Sequence, residues 1–193
     1  PLITRVYPPD QYGVLTAYTA ILSLLVISAS FDYQKAIPLA KDDKKAVNLL
    51  VLSMYFLLFS SIIITVILAI FGDSFLDLLD YKDLSAYKYL IPVGILFAGT
   101  YNIVLQWGFR NRDYKVIMRT KVSQSITANV TKLSLGLIGV GPIGLVFGVI
   151  IGQSAGVTSL ATPIFRKRGL LSAVSFPRLK EVLTRYKKFP IYS

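Results

Sequence analysis

The sequence predicts an all-α protein, a polytopic transmembrane helix bundle. Three observations lead there. Five apolar stretches of about membrane-spanning length lie between Val14 and Phe165, and lysine and arginine gather in alternate gaps between them. The composition agrees, since 54% hydrophobic residues and a mean hydropathy of +0.60 are more than a soluble domain of 193 residues hides in one core.

A bilayer core takes about 20 apolar residues of helix to cross, at ~1.5 Å of rise each. Stretches this long, without strand-like alternation, satisfy their own amides in lipid only as helices. The expected spans are 14–31, 46–71, 89–109, 122–140 and 142–165, so that residues 1–165 form one helical lobe. The gap after the first span holds Lys35, Lys41, Lys44 and Lys45. Asp32 and Lys35, spaced i, i+3, are read as a local ion pair rather than a gate. After the second span Asp73, Asp77, Asp80 and Asp83 make an acidic outer loop without the ordered ligand spacing of a calcium site.

The third span is interrupted by Pro92, Gly94 and Gly99 and carries Asn102 and Gln106 one turn apart, either lining a cavity or satisfying neighbours. Arg110, Arg112, Lys115, Arg119 and Lys121 fill the next gap. In the fourth span Lys132 falls near the middle, where an ionised side chain costs at least about 2.5–3.5 kcal/mol. Snorkelling would have to cover the eleven residues back to Lys121, about 16 Å along a helix. Ser125, Asn129, Lys132 and Gly136 share one helical stripe, so we expect this helix to face other helices or a water-filled cavity. In the fifth span Gly144, Gly148, Gly152 and Gly156 form a ridge for close helix packing, with Gln153 beside it. Lys132, Asn129, Ser125 and Gln153 are therefore the candidate substrate-binding, cavity-lining residues.

Residues 166–193 are strongly basic. Leu179, Val182, Leu183, Tyr186 and Phe189 recur at helical spacing, with Arg178, Arg185 and Lys188 toward the other face and Pro190 as a boundary. Two readings stay open, an interfacial helix and a cytoplasmic linker. The basic gaps and this tail belong on the cytoplasmic side, which leaves Arg5, Lys82 and Lys88 outside. The N-terminus is then outside, and the parity of spans leads us to expect an earlier span.

The net charge of +11 flanks the spans instead of gathering with aromatic readers on one face, so we expect no nucleic-acid partner. Anionic lipid headgroups at the basic loops account for it, at about 1 kcal/mol per residue near the surface. There is no histidine or cysteine, and the only glutamate is Glu181. We expect no catalytic constellation, no metal site, no cofactor and no enzyme activity.

The run Pro1-Leu-Ile-Thr-Arg-Val-Tyr-Pro-Pro-Asp-Gln-Tyr-Gly13 resembles the start of bacterial oligosaccharide flippases of the polysaccharide-biosynthesis type, including O-antigen translocases. Ser30-Phe-Asp-Tyr-Gln-Lys-Ala-Ile-Pro-Leu-Ala-Lys-Asp-Asp-Lys-Lys-Ala46 is similar to the stretch after that family's second span, and Gly141-Pro-Ile-Gly144 to its sixth. Gln34 stands where such sequences often have glutamate, and Asp32 where they often have a basic residue.

The resemblance implies most of one six-helix lobe of a two-lobe flippase, with 166–193 leading to the second. It implies a multi-pass protein of the bacterial cytoplasmic (inner) membrane. Such a protein moves an undecaprenyl-pyrophosphate-linked oligosaccharide for surface polysaccharide, O-antigen or lipopolysaccharide synthesis, beside a glycan polymerase and export proteins. In that setting Lys132 would attract the pyrophosphate. The alternatives are an ion-coupled exporter of cationic drugs from the same superfamily, which calls for buried carboxylates, and a membrane scaffold for glycan assembly.

Overall fold

The computed structural model describes residues 3–78, 81–166, 169 and 172–186, with the backbone alone for Phe75, Lys82, Asp83 and Arg166. The described residues form helices and turns, without a strand. The elements are α1 (Ile3–Val6), α2 (Pro9–Ser28), α3 (Asp43–Leu78), α4 (Leu90–Arg110), α5 (Tyr114–Leu137), α6 (Pro142–Ser154), α7 (Val157–Arg166) and α8 (Phe176–Arg185). Short 3-10 turns at Tyr33–Ala36 and Lys82–Tyr87 lie between α2 and α3 and between α3 and α4.

α4 is the central helix, and its small residues explain why. Far from interrupting the helix, Gly94 and Gly99 are notches: a methyl at Gly94 would collide with the Tyr18 ring of α2, and one at Gly99 with Leu57 of α3. Pro92 sits in the first turn, where its missing N–H is not needed, and its carbonyl accepts a bond from Ser61 Oγ at 3.2 Å. Around these notches Tyr18, Leu57, Ile91, Ile95, Ile103 and Trp107 are almost wholly buried. At the basic end Arg110, the last residue of α4, ties down the α2–α3 connection. Its guanidinium donates to Ala40 O at 2.5 Å and Ile37 O at 3.3 Å and reaches Asp43 Oδ1 at 3.2 Å.

Among the described residues four helical stretches are long and apolar enough to cross a membrane: Pro9–Ser28, Asp43–Ser74, Leu90–Arg110 and Pro142–Phe165. The chain is a membrane protein. Three expectations change. α3, with 36 residues and about 54 Å of length, outruns the span expected at 46–71, because no proline stops it. Asp73 and Asp77 therefore ride on its last turns instead of a loop, and Lys88 Nζ reaches Asp73 Oδ2 at 2.7 Å. The expected span 122–140 is absent from the four: α5 is long enough at 24 residues, but its serines, threonines, asparagine and lysines make it too polar. The span expected as one helix over 142–165 breaks between α6 and α7, where Ala155 is extended and Gly156 has φ +94°.

That break belongs to the glycine ridge. Gly144 meets Leu135 and Tyr7, Gly148 meets Lys132 and Ala128, Gly152 meets Ala128 and the carbonyl of Gln124, and Gly156 meets Thr120. All four glycines thus seat α5, one turn after another, and bring the two backbones close.

α8 is held by protein. Val182 is buried against α3 and the Tyr33 turn, with Leu179 and Tyr186 packed beside it. Phe189, Lys188 and Pro190 lie outside the described residues. Asp32 and Lys35 form the expected local ion pair at 3.1 Å.

Candidate functional site

A cavity of about 390 Å³ opens among α2, α4, α5 and α6, in the half of the bundle nearer its basic end. Helical geometry supplies its walls. Thr19 and Ser23, one turn apart, come from α2; Tyr101 and Asn102 come from α4; Lys121 and Gln124, also one turn apart, come from α5; Gln153 closes it from α6. The remaining lining is aliphatic and includes Leu22, Val26 and Val149.

The polar groups are individually positioned. Lys121 Nζ lies 4.7 Å from the centroid of the Tyr101 ring, a cation–π contact that offsets part of the cost of holding an ammonium there. The Tyr101 hydroxyl is 3.2 Å from Thr120 Oγ1, which itself donates to Ile117 O at 2.7 Å. Gln124 Nε2 donates to the carbonyl of Gln153 at 3.3 Å, near the C-terminal end of α6. The side-chain Oε1 of Gln153 is buried without a hydrogen-bond partner among the described residues, an acceptor whose isolation costs about 1–3 kcal/mol until a donor reaches it. The cavity therefore offers one cation, the side-chain amides of Asn102 and Gln124 and several hydroxyls, and among the described residues no carboxylate lines it. No group of three or more metal-ligating side chains occurs among the described residues.

Of the four residues the sequence singled out, the cavity holds Gln153. Lys132 lies two turns beyond Gln124, about 12 Å along α5, with its stem in the notch of Gly148. It makes no ion pair among the described residues, and its carbonyl accepts the Tyr7 hydroxyl at 2.7 Å. Asn129 and Ser125 stand on the exposed side of α5 and face each other at 3.5 Å. These three extend from the cavity toward the opposite end without lining it. Asn102 does line it. Lys121 and Gln124 were missed, although Lys121 lies four residues before Ser125 and so continues the same stripe by one turn.

Residues 2–185 match a family described as polysaccharide biosynthesis protein. The chain belongs to that family. Neither a curated protein nor a solved structure matches it significantly. Membership agrees with the resemblance read in the opening residues and places the chain in polysaccharide synthesis or export.

Proposed function

We propose that the chain forms most of one lobe of a flippase. It moves an oligosaccharide linked to undecaprenyl pyrophosphate across the bacterial cytoplasmic membrane, without breaking a bond, for surface polysaccharide, O-antigen or lipopolysaccharide synthesis. The observation that carries this reading is the cavity with Lys121, Gln124 and Gln153, set among helices apolar enough to span the membrane. The basic end is then cytoplasmic. The cavity lies in that half, where a carrier made inside would enter.

α5 supports the same reading. Its exposed side mixes Ser125 and Asn129, with Lys132 half-buried beside them, with Val122, Ile126 and Val130, which suits a surface shared between water and a second lobe. The anionic carrier headgroup would pass from Lys121 toward Lys132 along it while the polyprenyl tail stayed in lipid. An exporter of cations is less favoured, because no carboxylate lines the cavity. A scaffold is less favoured because the glycine ridge is already filled by α5. Anionic lipids at the basic loops, a glycan polymerase and export proteins remain the proposed partners, and nucleic acid is not among them.

The test is surface glycan in cells lacking their own flippase, measured at matched protein abundance. Losing a charge-assisted contact worth about 1.5–3 kcal/mol lowers export roughly 10- to 100-fold in Lys121→Leu, with Lys121→Arg retaining most of it. The same pair at Lys132 examines the other cation. Equal export by Lys121→Leu and the parent would overturn the role of the cavity, and no export by the parent would overturn the flippase reading.

A further inference from the structure

We propose that α8 is a strut pressed between α3 and the membrane surface, and that the partner of its outer side is anionic lipid at the basic end. The inner side is fixed by unusually complete bonding. Asn48 of α3 is fully buried, its amide donates to Lys44 O at 2.8 Å and to Ala173 O at 3.2 Å, and its Oδ1 accepts from Ser175 N at 3.4 Å. Lys45 Nζ reaches Glu181 Oε1 at 2.9 Å, and the Tyr33 hydroxyl donates to Leu183 O at 3.4 Å. α8 is thereby anchored where the apolar stretch of α3 begins.

The outer side is what remains. At 100° per residue, Leu183, Phe176 and Lys180 follow one another round from the buried face of Val182. Phe176 is 80% exposed and Leu183 37%. Arg178 and Arg185 occupy the other flank, about 40–60° from Val182, where Arg178 donates to Ala173 O at 2.8 Å. The one acid of the helix, Glu181, is already bonded to Lys45, so the Lys180 charge stands uncompensated beside the exposed Phe176 ring. Water gives such a ring no stabilisation, whereas the headgroup boundary accepts an apolar flank and a row of cations together. Charge complementarity selects anionic over zwitterionic lipid.

The chain has no cysteine, so Phe176→Cys carries a single fluorescent label. In vesicles of phosphatidylcholine with added phosphatidylglycerol, a nitroxide on the lipid headgroup should quench that label more strongly than in phosphatidylcholine alone. Lys180→Gln should weaken the lipid contact about fivefold. Quenching by aqueous iodide alone, equal lipid quenching in both vesicles, or shielding from both quenchers by a protein partner would each overturn the proposal. Leu183→Cys reports on the same flank should the Phe176 variant fail to fold. None of these readouts depends on glycan transport.

Discussion

Lys121 and Gly156 show how a single position decides local structure. In the sequence Lys121 belongs to a flanking run of cations, and nothing in that run separates a lysine in solvent from one turned over Tyr101. Gln153 was legible because an amide beside a glycine ridge has few places to go; the ring over which Lys121 lies is twenty residues away on another helix. At Gly156 the reason is backbone: φ +94° is a conformation that side-chain-bearing residues rarely adopt, and a methyl there would collide with Thr120. Gly156→Ala is expected to cost about 1–3 kcal/mol and to lower the melting temperature in detergent by roughly 2–4 °C for each kcal/mol. Gly13→Ala is its counterpart, since nothing lies within 4 Å of the added methyl. It should leave the melting temperature unchanged or raise it slightly, by about 0.4–1 kcal/mol of stability. A larger loss at Gly13 than at Gly156 would contradict this account of the break.

The apolar elements were legible from hydropathy, because a run of twenty apolar residues has one solution in lipid. Their ends and interruptions were not. α3 continues through the acidic residues after its span, and 142–165 breaks in two, because both outcomes depend on partners outside those segments, Lys88 before α4 in one case and Thr120 of α5 in the other. The docking of α8 rests equally on distant residues. Asn48→Ala leaves the Ser175 N–H without its partner and the Ala173 carbonyl with the Arg178 guanidinium alone, and is expected to loosen α8 by about 1–3 kcal/mol, seen as new protease cleavage within 172–186. The Lys45–Glu181 pair adds a pH dependence of defined sign. Hydrogen bonding from the Lys45 ammonium holds the Glu181 carboxyl below its ordinary value, so the folded state binds this proton less readily than the unfolded one. The pair stabilises docking above the usual carboxylate range of about 4.3 and loses that contribution as pH falls through the lowered value. Glu181→Gln should remove this acid-dependent part of the cleavage, and an unchanged pH profile would exclude the pair as its source.

For the whole molecule, the bundle and its family were readable from span pattern and opening motif, while the site required knowing which helices meet. The bundle has two contrasting outward surfaces on α3 and α5. α3 presents Phe59, Ile62, Ile67 and Phe71, all at least half exposed, and a face of that kind is stable only in hydrocarbon. α5 presents Ser125 and Asn129 interleaved with Val122, Ile126 and Val130, each more than half exposed, a mixed face that suits a boundary between water or polar protein and an apolar neighbour. The difference can be measured in intact cells, because the chain has no cysteine of its own. Single variants Asn129→Cys and Ile67→Cys should separate cleanly under a water-soluble maleimide: the first is labelled, since its thiol ionises in an aqueous path, and the second stays unreacted in lipid. A carrier or glycan occupying the path would slow labelling at Asn129→Cys and leave Ile67→Cys unchanged. Failure of both positions to react would place α5 against lipid or sealed protein, and would remove the aqueous path on which movement of a charged headgroup past Lys132 depends.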